Sequence, residues 1–140
     1  MVANTYTTWT PDLETGHAVI DEQHQKLIAA VNALFDAQRN GKGREEVEQT
    51  MDFLVDYTVK HFDGEEKLQE KHGYPHFFAH KQLHVDFKGV AHGLADDLRR
   101  DGPSEELVSH VCVTIGKWIL NHIKAEDTKM VAHLLGKAPG

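Results

Sequence analysis

A chain of 140 residues, 40% hydrophobic and 26% charged, suits one ordinary globular domain. Its formal net charge of -7 argues against nucleic acid or an anionic membrane as a partner, and no apolar run approaches the roughly 20 residues that span a bilayer. No secretory signal is visible and Cys112 is the only cysteine, so we assign the protein to a reducing compartment, the cytoplasm. The unusual feature is its eleven histidines.

The predicted elements, in chain order, are an N-terminal arm and four helices. The arm, residues 1–17, shows no clear period, and the segments after it carry apolar residues at helical spacing. We predict helices over about 18–38, 44–71, 76–100 and 104–135. Glycine or proline marks each break, and short connections make neighbouring helices antiparallel. The sequence therefore predicts an all-α fold, an up-down-up-down antiparallel four-helix bundle with an N-terminal arm, as one domain over 1–140.

Histidines and one glutamate fall on the apolar faces of these helices rather than on their solvent faces. All four helices contribute: His24 from the first, His61 and Glu65 from the second, His80 and His84 from the third, and His122 from the fourth. At a rise of about 1.5 Å per residue, counting from the turns brings all of them to one level of the bundle.

A cluster of this kind predicts a metal site. Buried polar groups without partners cost several kcal/mol each, and no Lys or Arg lies on these faces to pair with Glu65. Imidazole nitrogen and carboxylate oxygen are natural metal ligands, and the i,i+4 pairs His61/Glu65 and His80/His84 can each reach one site. Five histidines are too many for one tetrahedral zinc, so we predict two metals bridged by carboxylates.

The carboxylate of the fourth helix is ambiguous from spacing alone. Glu126 lies at i+4 from His122 and therefore on the same helical face. Asp127 lies at i+5, which turns it about 140° away in an α-helix. Helical geometry favours Glu126, but it leaves both residues open.

The motifs together resemble the hemerythrin family, specifically the single-domain bacterial hemerythrins. The matching elements are Trp9, then Gly16 with Ile20-Asp21-Glu22-Gln23-His24, then His61-Phe62-x-x-Glu65-Glu66, then His80-x-x-x-His84, then Trp118-Ile119-x-x-His122-x-x-x-x-Asp127. Each spacing alone is weakly diagnostic, but their order and separation over nearly the whole chain are specific.

The resemblance implies a non-haem di-iron centre. One iron would be held by His80, His84 and His122, and the other by His24 and His61, with an open position. Glu65 and Asp127 would bridge both irons together with an oxo or hydroxo group, so the resemblance favours Asp127 over Glu126. It also implies an apolar dioxygen pocket, formed by Leu27, Phe62, Trp118, Ile119 and Ile123.

The function implied is reversible dioxygen binding for oxygen carriage, storage or supply, without enzymatic turnover. The alternatives are an oxygen or redox sensor, or a di-iron oxidase, peroxidase or nitric oxide reductase. We expect a monomer whose partners are dioxygen and an oxygen-consuming recipient protein. Glu66 and Glu126 are expected to be solvated, and Cys112 is expected to be an inert core residue.

Overall fold

The computed structural model describes residues 7–136, and every regular element in that range is helical. The long helices are α1 (Ala18–Arg39), α2 (Arg44–Lys71), α3 (Phe77–Asp101) and α4 (Glu105–His122). The fourth continues through a π-helical segment, Ile123–Asp127, into α5 (Thr128–Leu134), and a 3₁₀ turn, Pro11–Leu13, lies in the arm. The predicted four-helix bundle is confirmed. Residues 1–6 of the predicted arm and residues 137–140 of the predicted domain lie outside the described residues.

Local sequence signals account for the helix ends. The Ser104 hydroxyl accepts a hydrogen bond from the Leu107 N–H at 3.1 Å, which caps α4 as its position predicts. Gly73 follows α2 with a φ of 62°, a left-handed conformation that glycine adopts without strain. The bounds of α1, α2 and α3 lie within one residue of the predicted ranges. The fourth predicted helix differs, because a π turn interrupts it.

The core has two apolar clusters with a polar layer between them. α1 packs against α2 and α4, and α2 packs against α3. The larger cluster fills most of the bundle, and the smaller one contains Ile20, Tyr74, Met130 and Val131. Along each helix, the predicted metal ligands lie between residues of the two clusters. The fold therefore places these polar side chains in one buried layer, as the residue count from the turns predicts.

None of the helices within residues 7–136 is long and apolar enough to cross a bilayer.

Candidate metal centre

The seven residues named from the sequence lie together in the polar layer. All are buried, and the most exposed of them, His122, retains 6% of its accessible surface. Their ligand atoms form two overlapping groups, within each of which all atoms lie within 4.8 Å of one another. The three-histidine group is His80, His84 and His122 with Glu65 and Asp127. The two-histidine group is His24 and His61 with the same two carboxylates.

Glu65 faces both groups with different oxygens. Its Oε2 lies 3.2 Å from His24 Nε2 and 2.9 Å from His61 Nε2. Its Oε1 lies 3.3 Å from His84 Nε2 and 3.7 Å from His80 Nε2. One carboxylate is thus divided between the two groups, which is the arrangement of a bridging ligand.

Asp127 is divided in the same way. Its Oδ2 lies 3.0 Å from His24 Nε2 in the two-histidine group. Its Oδ1 lies 3.1 Å from His80 Nε2 and 3.2 Å from His122 Nε2 in the three-histidine group. The two carboxylates therefore span the same pair of positions from α2 and from the fourth helix.

The π segment explains why Asp127, and not Glu126, enters this centre. At its end the Thr128 N–H donates to the Ile123 carbonyl, five residues back, so this turn contains one residue more than an α-helical turn. A residue at i+5 then returns to the face of residue i. Asp127 lies on the side of His122 and is buried, whereas Glu126 is half-exposed. The α-helical geometry that favoured Glu126 does not apply to this turn.

The donor atoms fit a metal ion better than they fit each other. His122 Nε2 lies 3.1 Å from both His84 Nε2 and His80 Nε2. Nitrogen ligands about 2.1 Å from one ion lie about 3 Å apart when they subtend a right angle at it. Glu65 Oε1 and Asp127 Oδ1 are also buried without a hydrogen-bond partner. A cation at each group would satisfy all of these atoms.

Despite burial, interactions with the imidazoles lower the pKa of both carboxylates, Glu65 and Asp127, and keep them ionised. Burial lowers the pKa of His24, but hydrogen bonds to Asp127 and Glu65 outweigh it and raise that pKa to about 9. Burial also lowers the pKa of His80, but its interactions with the Asp127 and Glu65 carboxylates outweigh burial and raise that pKa to about 9. Burial raises the pKa of Glu65, but the charge of His61 and hydrogen bonds from the imidazoles hold it well below its usual range. A metal ion must displace the imidazole protons, so its binding should release protons.

Two outer side chains orient a ligand histidine in each group. His61 Nδ1 donates to Gln23 Oε1 at 2.6 Å, and His84 Nδ1 donates to Glu66 Oε2 at 2.9 Å. Each bond keeps a proton on Nδ1 and turns Nε2 toward the centre, where Nε2 can give its lone pair to a metal ion once its own proton has left. The expectation that Glu66 is solvated was wrong, because it is buried on the same helix as Glu65. The sequence signal for Glu66 was its place beside a ligand in the HxxxEE motif.

The five predicted pocket residues lie in or against the larger apolar cluster, and two of them place aromatic rings on the three-histidine group. Leu27, Phe62, Ile119 and Ile123 are buried and Trp118 is half-buried. Phe62 stacks on the His84 ring at 3.8 Å between centroids, and it lies 6.2 Å from the His61 ring.

Trp118 continues this aromatic layer on the fourth helix. Its ring stacks on His122 at 4.3 Å and on Phe87 at 3.9 Å. Phe87 lies on the apolar face of α3, but the pocket predicted from the sequence did not include it. The aromatic layer shields the three-histidine group in particular.

Comparison with known proteins places the chain in a family that carries such a site. The family model for the hemerythrin HHE cation binding domain matches residues 15–134. The bacteriohemerythrin of Pseudomonas paraeruginosa is 35% identical over 123 residues, which cover 88% of this chain and 78% of that protein. The bacteriohemerythrin of Methylococcus capsulatus is 34% identical over 122 residues, which cover 86% of this chain and 90% of that protein.

A solved structure is similar to this chain in fold as well as in sequence. A crystal structure of wild-type hemerythrin superimposes with a TM-score of 0.76 at 31% identity, and the match covers 86% of this chain and 92% of that one. The structural similarity therefore covers most of the chain, and the range matched by the family model includes all seven residues of the polar layer.

Proposed function

Because this chain belongs to the hemerythrin HHE cation binding family, we propose that it binds dioxygen reversibly at a di-iron centre. The observation that carries the proposal is the asymmetry of the two donor groups. Both share Glu65 and Asp127, but one has three histidines and the other has two. An ion in the two-histidine group would have one protein ligand fewer, which leaves a position for a small ligand.

Different residues would bridge the two ions, complete their coordination and orient their ligands. Glu65 and Asp127 would bridge the ions, and the five histidines would complete the two donor sets. Gln23 and Glu66 hold the Nε2 atoms of His61 and His84 toward the centre. The irons would supply the electrons for reversible dioxygen binding.

The apolar surroundings support reversible binding rather than turnover. Leu27, Phe62, Ile119 and Ile123 are each at most 3% exposed, so they keep water and its protons away from the polar layer. We accordingly propose carriage, storage or local supply of oxygen. That the protein acts as a monomer in the cytoplasm and serves an oxygen-consuming recipient stays a prediction.

An optical titration of anaerobically reduced, iron-loaded protein tests this proposal. A visible charge-transfer band should appear when air is admitted, disappear on degassing and return on a second exposure. Iron content should be two per chain. His110→Ala is the matched control, because His110 is exposed and belongs to neither donor group. It should leave the band unchanged. A band that never forms, or that cannot be reversed in the wild-type protein, contradicts the proposal.

A redox-sensing role is the second candidate, favoured by the position of Trp118. This half-exposed ring stacks on the ligand histidine His122, so it links the centre to the surface. Rapid and irreversible oxidation in the titration would support sensing over carriage. Replacement of the indole by Trp118→Leu should then slow re-reduction by a protein electron donor.

A further inference from the structure

The 3₁₀ turn of the N-terminal arm lies directly on the π segment of the fourth helix. The turn contacts this segment, and Leu13 is fully buried in the same apolar cluster as Ile123. On the outer side, the Asp12 carboxylate lies 3.1 Å from Lys124 Nζ. The arm thus meets the π segment at two places. Leu13 packs into the core on the buried side, and the Asp12–Lys124 ion pair lies on the solvent side.

Both sides of the turn are anchored to α1. Before it, the Thr7 N–H donates to Asn32 Oδ1 and the Thr7 carbonyl accepts from Asn32 Nδ2, both at 2.8 Å. After it, the Thr15 N–H and hydroxyl donate to the Asp21 carboxylate at 2.9 Å and 2.6 Å. The turn is therefore fixed relative to α1, the helix that supplies His24.

The π segment needs support of this kind. Its competitor is a continuous α-helix, which is the commoner structure and which would carry Asp127 away from the side of His122. Lys124 and Ala125 are exposed, so only Ile123 and Asp127 tie the segment to the core from within. Contacts from outside the helix must favour the wider turn over the α-helical one.

We propose that the arm holds the π segment in register and thereby positions Asp127, with Leu13 as the principal positioning residue. The Asp12–Lys124 pair contributes less, because both side chains are about half exposed and exposed pairs are weak. The inference rests on the proposed function only for the role of Asp127 as a metal ligand. The coupling between arm and π segment is a property of the metal-free chain.

Amide hydrogen exchange of the full-length, metal-free protein tests the coupling directly. Leu13→Ala should accelerate exchange in residues 123–128 by about tenfold or more relative to the rest of the bundle. Leu13→Met conserves the buried volume and should restore the wild-type rates. Equal acceleration throughout the bundle, or none in residues 123–128, overturns the inference.

Leu98→Ala is the matched control for general loss of stability. Leu98 is also fully buried, but it lies near the C-terminus of α3, away from the π segment. This variant should lower overall stability without selective exchange in residues 123–128. The same selective acceleration in Leu98→Ala would show that the π segment is simply the weakest part of the fold.

Iron binding separates this inference from the proposed function. Leu13→Ala should bind iron about tenfold more weakly, with a perturbed spectrum, and Leu98→Ala should retain the wild-type spectrum. Failure of the wild-type protein to bind two irons would refute the proposed function and leave the exchange result to decide the coupling. Selective exchange with unchanged iron affinity and spectrum in Leu13→Ala would refute the positioning of Asp127 by the arm.

Discussion

The three-histidine group and the two-histidine group share Glu65 and Asp127 but differ in what surrounds their imidazoles. The first has a charged outer partner, Glu66, and stacked aromatic rings on two of its ligands. The second has a neutral outer partner, Gln23. A carboxylate on a ligand imidazole makes it a stronger donor, so we expect the first group to bind a metal ion more firmly. The two-histidine group has one imidazole fewer, so an ion there would keep a coordination position for a small ligand.

The largest expected effect comes from removing what the two groups share. Asp127→Asn keeps the size of the side chain but removes the charge and one of the two oxygens that face the groups. Loss of an outer partner alone costs about 10–100-fold in metal affinity, so loss of this ligand should cost more than about a hundredfold at both positions. Iron content after desalting, measured against far-UV circular dichroism, should fall well below two per chain while the helices persist.

Glu126→Gln is the matched control for Asp127→Asn. It makes the same chemical change one residue earlier, at the half-exposed position that α-helical spacing favoured. Iron content should stay at two per chain. Equal loss in both variants would show that the π turn does not select Asp127.

The second largest effect is loss of iron from the two-histidine group alone. His61→Ala removes one of only two imidazoles in its group, so the ion there should be lost and reversible dioxygen binding with it. The three-histidine group should retain its own ion, giving about one iron per chain and a largely helical spectrum. Retained reversible binding in His61→Ala would contradict the assignment of the open position.

His84→Ala makes the corresponding change in the three-histidine group. It leaves two imidazoles in its group, so the affinity for that ion should fall while residual binding survives. The order of iron loss on dialysis against a chelator should therefore be His61→Ala before His84→Ala. The reverse order would show that the aromatic shielding, and not the number of histidines, controls retention.

The histidine positions could be predicted from the sequence because they depend only on helical periodicity and bundle topology. Spacing by three and four residues identified the inward faces, and short connections fixed the order of the helices. Asp127 could not be chosen by that reasoning, since a π turn depends on tertiary contacts such as that of Leu13. Only the family resemblance favoured it. Glu66 was missed because its partner, His84 Nδ1, comes from another helix, 18 residues away.

A smaller effect on metal affinity is expected from changing only the charge of the side chain that accepts the hydrogen bond from His84 Nδ1. Glu66→Gln gives His84 the same kind of neutral acceptor that Gln23 offers His61. The hydrogen bond can persist, so iron content should stay at two per chain, but affinity at the three-histidine group should fall by about tenfold. Chelator competition measures this, and Glu70→Gln, an exposed glutamate one turn later on α2, is the control. An unchanged affinity would mean that the charge of Glu66 contributes nothing to retention.

The smallest expected difference between variants of the two groups is measured at Cys112, which lies outside both groups in the larger apolar cluster. Burial raises the pKa of its thiol to about 12, and its Sγ lies 3.7 Å from the Val31 carbonyl on α1. The thiol should remain protonated at pH 8, so iodoacetamide should modify it at least about a hundredfold more slowly than in the denatured chain. Mass spectrometry of the adduct measures both rates.

The same thiol then tests whether the difference between the two groups is local. Because α1 and α4 cover Cys112 away from the polar layer, His61→Ala and His84→Ala should each change the alkylation rate by less than about twofold. Rapid alkylation in only one of them would mean that the corresponding ion holds the whole bundle together. Its loss of dioxygen binding would then reflect opening of the fold rather than removal of one ligand, and the comparison of iron retention between the groups would have to be repeated in variants that keep Cys112 protected.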